Sequence, residues 1–141
     1  MQNVDEINDI MTGFLDNLVE IAKIHTEFKE ALGEEHEYTK LAKSLVSIFN
    51  QYQSFYVYIK DEKDFANLLT KVSKTALKVL SFKPYELLEG SNLKRKKQLK
   101  DMKKEREEAL KELSLEIDNV NLKIDEALEE RKKDEKDNTE A

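Results

Sequence analysis

Apolar side chains return every three and four residues along most of this chain, and that spacing limits its possible folds more than any other feature. Val4, Ile7, Met11, Phe14, Leu18, Ile21, Phe28 and Leu32 occupy the a and d positions of a heptad, with His25 in the a slot between them. Tyr38, Leu41, Leu45, Ile48, Tyr52, Phe55 and Ile59 repeat the pattern, and Phe65, Leu68, Leu69, Val72, Ala76, Val79 and Leu80 continue it. Leu99, Met102, Leu110, Leu113, Ile117, Val120, Ile124 and Leu128 form its last stretch. Such a helix carries an apolar stripe down one side, and the stripe leaves water only by packing against another helix. The expected fold is all-α, an elongated antiparallel bundle or coiled coil of three to four helices. Met11, Phe14, Leu18, Ile21 and Phe28 on the first helix, with Leu110, Leu113, Ile117, Val120 and Ile124 on the last, are the candidate helix-pairing seam. Periodicity alone leaves open whether that seam closes within one chain or between chains.

A chain of 141 residues matches one domain. Charged residues at 38% nearly equal hydrophobic ones at 39%, with three Gly and one Pro, the balance of long helices with solvated outer faces. The net charge of −6 disfavours nucleic acid as a partner, while a local basic patch can still act alone. Without cysteine, disulfides and thiolate metal sites are excluded. The opening Met-Gln-Asn-Val-Asp-Glu does not read as a secretory signal or transit peptide. No stretch approaches the roughly 20 apolar residues that span a bilayer, so a cytoplasmic location is expected.

The first helix should cover residues 3–32 and span on the order of 45 Å, with Gly33 as its C-terminal cap. Gly13 inside it costs roughly 1 kcal/mol relative to Ala and marks either a close contact or a tolerated weak point. A second helix should start near residue 35 and run to about residue 60. Asp61 and Asp64 then suit a helix start, in a tight turn or a kink. Pro84 should stop the next helix near residues 81–83. Gly90, Ser91 and Asn92 precede a last long helix to about residue 131, supported by the Glu107–Lys111 pair. Residues 1–131 thus form the helical domain, and 132–141 a disordered charged tail.

Little in the sequence reads as catalytic. His25 on the apolar face is read as a packed polar residue that sets register, or as a pH-sensitive joint. His36 stands among Glu34, Glu35 and Glu37, but the spacing matches no metal motif. No phosphate loop, nucleophile elbow or paired-His motif occurs, so neither an enzyme nor a cofactor is expected. Tyr52 and Phe55 continue the apolar stripe, which leaves Tyr56 and Tyr58 free to meet a partner. The main charge feature is Lys94, Arg95, Lys96, Lys97, Lys100, Lys103, Lys104 and Arg106. Near an anionic membrane each such charge contributes roughly 1 kcal/mol. The other readings are a grip on RNA or an acidic partner, or a solvated helix face diluted by Asp101, Glu105, Glu107 and Glu108.

Several segments together resemble a known family. Phe28-Lys-Glu-Ala-Leu-Gly-Glu-Glu, Leu41-Ala-Lys-Ser-Leu, Asp64-Phe-Ala-Asn-Leu-Leu and Leu93-Lys-Arg-Lys-Lys-Gln-Leu resemble the BAR region of sorting nexins, over roughly residues 15–112. The resemblance implies an antiparallel coiled coil of long helices that dimerises and lays a basic concave face on curved endosomal membrane. It makes Lys94, Arg95, Lys96, Lys97, Lys100, Lys103 and Lys104 the lipid-facing or anionic-partner residues, and the first-helix seam the dimer contact. The expected function is a non-catalytic scaffold that self-associates or pairs with partner helices and docks on anionic membrane. The alternative is a coiled-coil subunit of a larger tethering or kinetochore-type assembly, without lipid binding.

Overall fold

The computed structural model describes residues 4–55, 62–84 and 92–140 of the chain. They form four helices: α1 (Val4–Leu32), α2 (Glu37–Phe55), α3 (Glu62–Ser81) and α4 (Asn92–Glu140). Among the described residues there is no strand, and the fold is all-α.

The helix ends follow from local chemistry. Asp5 and Glu6 in the first turn of α1 and Lys29 in the last match the sign of the helix dipole. Gly33 ends α1 with φ +89°, a left-handed conformation that a Cβ would strain, and its N–H donates to the Lys29 carbonyl at 3.0 Å. Across this turn Lys29 reaches Glu34 at 3.1 Å and holds that carboxyl below its usual range. His36 then caps α2, its Nδ1 accepting the N–H of Tyr38 at 3.2 Å, which answers what His36 does among its glutamates. Helix α3 stops at Ser81, three residues before the buried Pro84. Tyr56, Tyr58, Ile59, Asp61, Gly90 and Ser91 lie outside the described residues.

Cross-helix pairs set the topology. Glu6 meets Lys63 at 2.7 Å, Thr70 donates to the Ile10 carbonyl, and Asn17 donates to Ser73 at 2.9 Å, so α1 and α3 run parallel. Phe14 packs edge-on to Phe49, and Phe28 to Tyr38, so α2 returns antiparallel along α1. Lys123 pairs with Asp64 at 2.8 Å, while Phe82 lies beside Ala109, so α4 runs antiparallel to α3. Small buried residues on α3, Ala66, Ser73 and Ala76, allow the close approach of α1.

The core takes one stripe from every helix: Ile7, Met11, Phe14, Leu18, Ile21 and Phe28; Ala42, Leu45, Phe49 and Tyr52; Phe65, Leu69, Val72, Val79 and Leu80; Ala109, Leu113, Val120 and Ile124. His25 is half-buried at its edge. On α2 the buried line is Thr39, Ala42, Leu45, Phe49 and Tyr52, whereas the expected stripe of Tyr38, Leu41, Ile48 and Phe55 is only half-buried. The buried line is offset by about one residue from the expected one, the helices packed against α2 being α1 and α3. Gly13 makes no close contact, since a Cβ built there meets nothing within 4 Å; it is a tolerated weak point.

One expectation needs revising. The first-helix seam implied as a dimer contact lies inside this chain, with Phe14 and Ile21 at 0% and Phe28 at 2% exposure, because α2 and α3 already cover it. Helix α4 extends to Glu140, through the stretch from residue 132 read from the sequence as a charged tail. From residue 132 it holds no Gly or Pro, and its lysines and glutamates are good helix formers, although Asp134, Asp137, Asn138 and Thr139 are not. Among the described residues, Leu128 is the last apolar side chain packed on the core.

Candidate functional site

Helix α4 has 49 residues against 20 in α3, about 74 Å against about 30 Å at 1.5 Å per residue. The Lys123–Asp64 pair is level with the start of α3, so the remaining turns of α4 pass beyond it. Its inner face supplies Leu113, Val120 and Ile124, with Leu110 and Ile117 half-buried beside them. The last-helix half of the candidate seam therefore packs against the chain's own core.

The outer face is different. Leu115 and Leu122 are 66% and 58% exposed, and at about 100° per residue they stand opposite Leu113, Val120 and Ile124. Spaced by seven, they are out of phase with the inner seam. Lys100, Lys104 and Lys111 fall on the same outer stripe, all exposed, and exposed Lys103 turns toward the side. The side chains of Lys94, Arg95, Lys96 and Lys97 lie outside the described residues. No described helix is long and apolar enough to cross a membrane, and the described residues gather no metal-ligating group of three.

Where α4 meets α2, two polar contacts fix its position. Tyr52 donates to Asn121 Oδ1 at 2.7 Å; burial, and then the charge of Asp118, push the phenol up to about 12. Further along, the Arg106 guanidinium lies 4.1 Å from the centre of the Tyr38 ring, a cation–π distance. Tyr38 is itself edge-on to Phe28 and His36. The Arg106 Nε is buried and, among the described residues, has no hydrogen-bond partner. Beside it opens a groove of ≈ 500 Å³, between the start of α2, the end of α3 and the basic part of α4.

One residue on the inner face conflicts with its surroundings. Glu116 is 8% exposed, and both carboxylate oxygens are buried with no hydrogen-bond partner among the described residues. Register from Lys123–Asp64 puts it level with Lys71, two turns away on each helix. A buried carboxylate in this state opposes the packing of α4 on α3.

The sequence located the lysines and the inner seam but missed three features: the outward leucines, the groove and Glu116. The leucine pair was visible as a seven-residue spacing off the main phase. The groove arises from α2, α3 and α4 converging, which no local pattern encodes, whereas Glu116 stands on the seam's own spacing, three residues after Leu113 and four before Val120. The chain matches no protein-family model, no curated protein and no solved structure. The likeness to sorting-nexin BAR regions therefore rests on the four quoted segments alone.

Proposed function

We propose that this chain is a non-catalytic helical scaffold whose bundle is self-contained and whose long α4 meets its partners. The observation that carries the reading is the two-sided α4: its inner face joins the core, while Leu115 and Leu122 stay exposed on the other. Two such leucines one heptad apart suit a partner helix, either from a second copy or from another subunit. The α1 seam is not available for this role, because the chain's own helices fill it.

Anionic membrane is the second partner in this reading, approached peripherally as on endosomes. It is supported by exposed Lys100, Lys103 and Lys104 and by the charge of Lys94, Arg95, Lys96 and Lys97 in the sequence. Attraction of this kind is worth roughly 1 kcal/mol per cation and fades within a Debye length, so binding should be salt-sensitive.

The alternative is a subunit of a larger tethering or kinetochore-type assembly with no lipid contact, which the exposed leucine pair also favours. Light scattering with small-angle X-ray scattering, followed by sedimentation with anionic vesicles, separates the two. The scaffold reading expects vesicle binding that is released by salt and by charge reversal at Lys94 to Lys97. Indifference to vesicles would leave the assembly reading, and loss of helical pairing in neither a Leu115→Glu nor a Leu122→Glu variant would remove α4 as the contact.

A further inference from the structure

The groove at the basic end of α4 combines two kinds of surface. Tyr38, Phe82, Leu99, Met102 and Leu110 make it apolar, and among the described residues of its rim Lys83, Lys103 and Arg106 stand against the carboxylates of Glu37 and Glu107. Its ≈ 500 Å³ lies within the span of small-molecule sites, about 300–1,000 Å³. Arg106 is held in place by the face of Tyr38 at 4.1 Å, a contact that uses its charge and none of its N–H donors. Its Nε is buried with no acceptor among the described residues. Arg106 is half-buried and lines the groove, so an anionic oxygen in the groove would meet its terminal N–H groups, with the rest of the guanidinium already anchored.

We propose that this groove seats one anionic phospholipid, its phosphate on Arg106 and Lys103 and the start of its acyl chain on Phe82, Leu99 and Met102. The proposal rests on the membrane reading above and deepens it by naming where a lipid is held. Charge complementarity selects the occupant. The run from Lys94 to Lys104 draws an anionic surface to this end of α4, and the groove adds an apolar wall beside a fixed donor. A solvated lysine patch would take phosphate with no need of a tail. An apolar cleft without Arg106 would take a tail with no preference for charge.

The test is an NMR titration of the full chain with lysophosphatidic acid below its micelle concentration, with lysophosphatidylcholine of the same chain length and inorganic phosphate as separate arms. The expected result is saturable binding of the first and about tenfold weaker binding of the other two. Arg106→Gln should weaken it about tenfold. Met102→Gln, at a half-exposed wall position, should weaken it with the melting curve unchanged, which guards against a folding defect at Arg106. Equal binding of inorganic phosphate, equal binding of both lysolipids, or unaltered binding in Arg106→Gln would overturn the proposal. Phosphatidic acid vesicles keep it separate from the membrane reading. Vesicle sedimentation with no saturable lysolipid binding would remove the groove and leave the membrane reading. Lysolipid binding with no sedimentation would remove the membrane reading, and with it the membrane as the lipid's source.

Discussion

Helices α3 and α4 are written with the same three-and-four spacing, yet the bundle treats them differently. Helix α3 is enclosed: Phe65, Ala66, Leu69, Val72, Ser73, Ala76, Val79 and Leu80 are all at or below 3% exposure, and α1, α2 and α4 all touch it. Helix α4 packs by one face only, carries exposed leucines on the other and buries an unpaired carboxylate between them. A heptad thus declares that a helix will pack, while the number of neighbours decides how much of it stays available. In this bundle α3 is enclosed by its neighbours, and α4 keeps one face outside.

That contrast can be broken at its strongest point first. Truncation of Phe65, at 0% exposure, to alanine should cost about 3–5 kcal/mol in urea denaturation; a loss below 1 kcal/mol would mean that α3 is not the enclosed helix. On α4 the sign reverses. Glu116→Leu should raise stability by about 1–3 kcal/mol, since it removes a buried, unpartnered carboxylate, and hydrogen exchange in α4 should slow in step. A destabilised variant would show that Glu116 holds α4 on α3 instead of opposing it.

Smaller effects refine the picture. Tyr52→Phe should lose about 1 kcal/mol with its bond to Asn121. Its phenol is raised to about 12 from the ordinary 10, so the associated stability is fully present below pH 10 and is lost as pH rises through 12. A spectrophotometric titration should show one late-ionising tyrosine that this variant removes. Gly13→Ala should stabilise by about 0.5–1 kcal/mol, because its Cβ has open space. Least of all, Leu115→Ser with Leu122→Ser should move stability by no more than about 0.5 kcal/mol. A large loss there would place the outer stripe in the fold and not in recognition.

Much of this was legible in the residues themselves. The helical class, the stop at Gly33, the break before Pro84 and the inner seams of α1, α3 and α4 follow from dihedral chemistry and from 3.6-residue periodicity, both properties of neighbouring residues. His36 shows how a local rule can still be missed, because an imidazole cap on α2 uses the same geometry as the usual hydroxyl or carboxylate cap.

What the sequence by itself determined is therefore that this chain is helical, where its helices bend or end, and which sides of them avoid water. Only the tertiary structure decided that the seams close within one chain, that α1 and α3 lie parallel, and that Leu115 and Leu122 are left outside. Arg106 and Tyr38 are 68 positions apart in the sequence and meet only because α2 and α4 run side by side. The physical reason is range: backbone preference and periodicity act over a few residues, whereas enclosure depends on how many helices arrive at one place, and no helix encodes its neighbours.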